Sequence, residues 1–77
     1  MLAGSDMAEQ LNAALVILRR RQVEARVGLK KTALYERIAD RKFPAPINLG
    51  GHAVGWVAAE VEAWIAERIA ASRKSVV

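Results

Sequence analysis

The run Phe43-Pro44-Ala45-Pro46 divides this chain more sharply than any other feature. Neither proline carries a backbone N–H, and each biases the residue before it toward extended geometry, so no helix passes through the segment. A helix arriving from upstream must stop by Lys42. What lies on either side then follows from periodicity.

Upstream, Val23 and Val27 are four apart, with Glu24 and Arg26 on other faces and Gly28 next. This predicts a short helix over about residues 20–27, ended by a glycine turn. A second helix is expected over about 31–40, burying Leu34 and Ile38. Two short helices joined by a tight Gly-containing turn form a helix-turn-helix, and Val23, Val27, Leu29, Leu34 and Ile38 would cover its shared core. The same spacing also fits other helical hairpins. Downstream, residues 47–49 and 54–56 are short alternating runs around Gly50 and Gly51, a hairpin signature. Such a hairpin needs something to lean on. Over about 58–72 the helical period returns, with Val61, Trp64, Ile65 and Ile69 on one stripe. Trp56 and Trp64 are assigned to the core, pinning hairpin to last helix. The fold class expected is mainly α with a small β-hairpin, a winged helix-turn-helix.

Residues 1–18 are expected as an N-terminal extension. Asp6 and Glu9 have capping-box spacing, and Leu11, Leu15 and Leu18 suit a short helix. The domain would then cover 19–72, with 73–77 as a tail. At 77 residues without cysteine, the chain must fold by packing or with a partner.

Several function classes drop out on inventory. The longest apolar run, residues 13–18, is far short of the roughly 20 residues a membrane span needs. Acidic Asp6 and Glu9 precede it, unlike a secretory signal, so a cytoplasmic location is expected. One His, two Asp and three Ser, the serines near the ends, do not assemble a nucleophile, base and orienting acid. His52 has no second ligand at metal-site spacing. No catalytic site, metal or small-molecule cofactor is expected; the chain reads as a binding protein, not an enzyme.

The formal charge of +4 is unevenly placed. Residues 1–18 carry only Asp6 and Glu9, residues 19–52 carry nine Lys or Arg against three acids, and residues 53–77 balance. A positive field confined to the middle third is how a nucleic-acid footprint differs from a generally basic surface, although a solvated face would look the same by charge alone. With Leu34 and Ile38 turned inward, the outer arc of the second helix holds Lys31, Thr32, Tyr35 and Glu36. That arc suits the major groove of B-DNA. Tyr35 could instead be a half-buried core aromatic. Lys30 and Lys31 oppose the macrodipole at a helix start, at a cost of about 0.5–1 kcal/mol, which a phosphate would offset. Alternatively, Thr32 caps a helix starting one turn later and the lysines are ordinary surface residues.

Arg19, Arg20 and Arg21 precede the first helix, where a helix-turn-helix commonly crosses the sugar-phosphate backbone. Three adjacent arginines are not expected to share one face, so one or two would reach phosphate. Arg37 and Arg41 lie on the flank away from Tyr35, as weaker phosphate candidates or as surface ion-pair partners. His52 sits beside the glycine tip of the wing, as a contact or a solvated loop residue.

These residues resemble the AlpA family of prophage regulators, a branch of the MerR-like and excisionase-like winged helix proteins. The resemblance covers about residues 17–70. It is carried by Leu18-Arg19, Val23, Gly28-Leu29, Leu34-Tyr35, Phe43-Pro44-Ala45-Pro46, Leu49-Gly50-Gly51, Val54-Gly55-Trp56 and Glu60-Val61-Glu62-Ala63-Trp64-Ile65. It implies a small transcription regulator that binds double-stranded DNA, in some relatives one that promotes excision of an integrated element. The family's DNA-facing positions correspond to Arg19, Lys31, Thr32 and Tyr35, with His52 where the wing is usually basic. Lys30, Ala33 and Glu36 depart from the family's usual residues, Arg20 replaces an apolar residue, and Arg41 replaces a helix-ending Gly. Glu36 could then accept from a cytosine amino group. A homodimer or cooperative assembly on DNA is expected, because one such domain reads few base pairs. Two other readings remain: an excisionase-type factor that bends DNA for a recombinase, and a protein-interaction adaptor using the N-terminal stripe.

Overall fold

The computed structural model describes residues 15–76. In chain order they form β1 (Ile17–Leu18), α1 (Arg20–Val27), α2 (Lys31–Ala39), β2 (Ile47–Gly50), β3 (Ala53–Val57) and α3 (Ala58–Val76). Three helices and one small antiparallel sheet, ordered β1-β3-β2, make a mainly α protein consistent with a winged helix-like fold. The core consists of Leu18, Val23, Leu34, Phe43, Trp56, Ala58 and Val61, with Val27, Leu29, Ile38, Val54, Trp64 and Ile65 packed around it. The apolar positions expected to join the first two helices therefore meet, with Val23 and Leu34 fully buried.

The turn between α1 and α2 works through Gly28, whose φ of 72° lets its N–H donate to the Glu24 carbonyl at 2.8 Å. A residue with a Cβ would be strained in that left-handed conformation. At the other end of α2 the same geometry falls on Arg41, with φ 60°. The Arg41 N–H donates to the Ile38 carbonyl at 3.0 Å and the Lys42 N–H to the Arg37 carbonyl at 2.8 Å, the paired bonds of a Schellman stop. The helix ends there as the prolines require, but with an arginine in a glycine's place.

Two elements differ from the sequence expectation. Leu18, placed on a helical stripe with Leu11 and Leu15, lies instead in β1: Ile17 pairs with Val57 and Leu18 with Trp56. The Ala58 N–H also donates to the Val16 carbonyl at 2.8 Å. Tertiary pairing overrides local periodicity here, because β3 would otherwise present an unpaired edge beside the core. The rest of the expected N-terminal helix, residues 1–14, lies outside the described residues. The second difference is α3, which continues to Val76 where a tail was expected from residue 73. Nothing from Ser72 onward breaks a helix, and Arg73 and Lys74 in the last turn favour its C-terminal dipole.

The hairpin has the expected strands, extended by a residue or two, with Gly51 and His52 at its tip. Its register is irregular between Asn48 and Gly50, and Asn48 Oδ1 accepts from the Gly50 N–H at 2.6 Å. On β3, Gly55 is where the sheet closes: a Cβ there would lie 2.5 Å from Ile17 Cγ2, 3.0 Å from Leu49 Cδ1 and 3.2 Å from the Leu18 carbonyl oxygen. A side chain at position 55 would therefore force Ile17 of β1 to shift from its present position.

Two stability outcomes follow. Gly55→Ala should lower the unfolding free energy by about 1–3 kcal/mol through forced displacement of β1. Arg41→Gly should raise it by about 0.5–1 kcal/mol by relieving the left-handed arginine. Urea midpoints of the two variants against the parent check both signs.

Candidate nucleic-acid interface

α2 begins at Lys31 with Lys30 in the N-cap position, its backbone extended at φ −88° and ψ 170°. No side chain caps this end, and no acid lies in the first turn. Thr32 is inside the helix, so the alternative of a threonine cap one turn later does not hold. Exposed lysines thus stand at the uncapped, partially positive end of a helix, the combination that receives an anion.

The outer face of α2 continues this end as an open hollow of about 580 Å³ bordered by Lys31, Thr32, Tyr35, Glu36 and Ala39. Leu34, on the inner face, is fully buried and fixes the rotation of the helix. Tyr35 stands between the surface and the core. It is 37% exposed, and its ring stands edge-on to Trp56 with centroids 6.3 Å apart. Trp56 is fully buried, and its Nε1–H donates to the Pro44 carbonyl at 3.0 Å. The phenol is therefore a surface group backed by a fixed indole.

Beside the hollow, and sharing Tyr35 with it, lies a second cleft of about 370 Å³ bordered by Arg19, Arg20, Arg21, Tyr35, His52 and Val54. Arg19, Arg20 and Arg21 all border this cleft. Arg19 is the N-cap and still extended, while Arg20 and Arg21 open α1, so the chain curves around the cleft instead of displaying all three on a regular helix. Their environments differ. Arg19 Nε donates to the Val54 carbonyl at 3.0 Å, tying the start of α1 to the hairpin, and the Arg19 N–H is held by Gln22 Oε1 at 2.8 Å. Arg20 pairs with Glu24 one turn along α1. Arg21 is exposed and has no ion-pair partner among the described residues.

Of the other expected residues, His52 is exposed at the hairpin tip and faces the arginine cleft. Lys30 is exposed at the start of α2 and borders neither hollow. Glu36 borders the α2 hollow and also a separate one with Arg37, Asp40, Lys42, Trp64 and Arg68. Arg37 is thus on the flank, apart from the Tyr35 face. Two participants were missed. Ala39 completes the α2 stripe, and its spacing of four from Tyr35 was the available signal. The Val54 carbonyl, as the anchor of Arg19, had none. Among the described residues no group of three His, Cys, Asp or Glu could hold a metal ion, and no helix is long and apolar enough to cross a membrane.

Two short helices joined by a tight glycine turn, a β-hairpin and a third helix make a small protein consistent with a winged helix-like fold. Comparison with known proteins makes that assignment particular. The model of the family described as prophage CP4-57 regulatory protein (AlpA) matches residues 16–69, and the chain belongs to this phage regulatory family. The match begins one residue before β1, so it includes the strand. The chain is also 43% identical over 47 residues to uncharacterized protein ORF88 of Enterobacteria phage P4, an alignment covering 61% of this chain and 53% of that protein. It thus spans about half the length of that curated relative. No solved structure matches the chain.

The double position of Tyr35 has a measurable consequence. Its hydroxyl has no hydrogen-bond partner among the described residues, whereas its ring packs on Trp56. Tyr35→Phe should leave stability within about 0.5 kcal/mol of the parent, and Tyr35→Ala should cost about 1–2 kcal/mol. Thermal unfolding separates the two, and a stability loss in the Phe variant as large as that in the Ala variant would contradict the packing role.

Proposed function

We propose that the protein is a sequence-specific, double-stranded DNA-binding transcriptional regulator of phage type. In this reading α2 enters the major groove, the β2–β3 hairpin is a wing beside the adjacent backbone, and the arginine cleft takes phosphate. The observation that carries it is that the two hollows share Tyr35 as a border, so that a helix face of groove-reading size adjoins a basic cleft also bordered by His52 and Val54 of the hairpin. Lys30 and Lys31 hold phosphate at the α2 N-terminus. Arg19, Arg21 and His52 face the backbone from the other side, and Arg20 contributes less because Glu24 already holds it. Arg37 is a peripheral phosphate contact.

One α2 stripe reads only a few base pairs, so useful affinity comes from two copies on paired half-sites or from cooperative assembly along the duplex. The protein acts by binding, with no catalysis or cofactor of its own, and works in the cytoplasm where the duplex is.

Anisotropy titrations on a selected duplex and on a random one, at several salt concentrations, test the reading. Tyr35→Ala should reduce discrimination between the two duplexes, and Lys31→Ala should weaken binding to both. Arg21→Ala should weaken both alike and flatten the salt slope by about 0.9. Arg20→Ala should do so less than Arg21→Ala. Unchanged discrimination in the Tyr35 variant together with unchanged affinity in the Lys31 and Arg21 variants, or the absence of salt-sensitive duplex binding in the parent, would falsify the assignment.

A further inference from the structure

The stripe on α2 has a composition that selects among base pairs. Thr32, Tyr35, Glu36 and Ala39 occur at i, i+3, i+4 and i+7, so they form one continuous line about 10 Å long, roughly three base steps. All four are exposed, and all border the same hollow. Three of them offer carbon: the Thr32 methyl, the Tyr35 ring and the Ala39 methyl. Glu36 is the only charged group among them, and as a carboxylate it can only accept. The arginine or lysine that reads guanine by donating to N7 and O6 is missing from the centre of this line, with Lys31 present only at its start.

Such a surface is poorly matched to guanine, whose major-groove edge offers acceptors that Glu36 repels and Ala39 cannot satisfy. It is well matched to a thymine, whose C5 methyl is the one apolar feature of the groove, next to an adenine or cytosine whose exocyclic amine can donate to a carboxylate. The Tyr35 wall is already held edge-on by buried Trp56, so little side-chain freedom is lost when a methyl group seats against it. Resting on the DNA-binding reading above, we propose that the α2 hollow is a thymine-methyl seat, with Thr32, Tyr35 and Ala39 as its apolar lining and Glu36 taking the amino group of a neighbouring base. Glu36 is then a specificity residue that excludes guanine at that neighbouring position.

The test uses the full chain and duplexes selected by it from random sequence. Each thymine of the selected site is replaced singly by uracil, which removes only the C5 methyl. Binding should weaken about fourfold at one thymine per half-site, the weight of one buried methyl group, and stay unchanged at the others. Thr32→Ser, an exposed change that keeps the hydroxyl and deletes the methyl, should reduce that uracil penalty while the variant still binds. Glu36→Gln, which gains a donor, should admit guanine beside the seat in a repeated selection. If the parent binds its selected site tightly and selectively but no uracil substitution matters, the seat is refuted while the DNA-binding reading stands. Selection by the parent of guanine, in place of adenine or cytosine, beside the sensitive thymine on the thymine's own strand refutes the seat equally. If no selective duplex is recovered and binding is insensitive to salt, both readings fall together.

Discussion

The burial of Trp56 is the interaction on which the remaining structure depends. The indole is fully buried beside Leu18, Val23, Leu34, Phe43 and Val61, and its one polar atom is satisfied by the Pro44 carbonyl. A buried N–H without a partner would cost about 1–3 kcal/mol, so the proline segment is held at the distance that bond requires. Trp56 also faces Leu18 across the β1–β3 pairing and carries the Tyr35 ring on its edge. The central strand, the strand before the helices, the loop after α2 and the outward-facing phenol therefore meet on one side chain. In a chain of this size few other groups have enough surface to do so.

Trp64 repeats the device on the opposite side of the same loop. Its Nε1–H donates to the Lys42 carbonyl at 2.6 Å, and Phe43 packs edge-on against it with centroids 4.9 Å apart. The segment between α2 and β2 has prolines that remove backbone donors, so its carbonyls need partners from outside, and the two indoles supply them. This also accounts for the tolerance of a left-handed Arg41. The Schellman bonds on Arg41 and Lys42 and the indole bond on the Lys42 carbonyl fix the turn from both sides. Strain of about 1 kcal/mol at one residue persists when several bonds specify the conformation around it.

What could be read from the sequence, and what could not, divides along the distance over which each signal acts. α1, α2 and the hairpin follow from periods and turn residues within a dozen positions, and the two tryptophans follow from their place on the apolar stripes. β1 does not, because two residues cannot establish a strand by alternation. Its reason for being extended is a partner, Val57 and Trp56, almost forty positions away. Gly55 was visible as a glycine in a strand, but the role of its missing side chain depends on Ile17 and Leu49 closing over it. The candidate interface divides in the same way. The α2 arc is a matter of 100° per residue and was legible, short of Ala39. That Arg19 would commit its Nε to Val54, and that the three arginines would surround one cleft, depends on how the hairpin docks against α1, and no local pattern carries that information.

The arrangement of charge joins the stability argument to the functional one. α1 can take a local correction for its basic start: Gln22 satisfies the Arg19 N–H, and Glu24 pairs with Arg20. α2 has no counterpart, since neither a capping side chain nor a first-turn acid answers Lys30 and Lys31. Both defects could be removed by single substitutions that touch no core residue, so packing does not force them on the chain. An anion at the α2 N-terminus would instead be bound by the same N–H groups and ammonium groups that destabilise the free helix end. Binding energy would then be gained where folding energy is forgone. The two helices differ in this respect while sharing one core: among the described residues the start of α2 has no local counter-charge, whereas at the start of α1 Arg20 is paired and Arg21 remains unpaired.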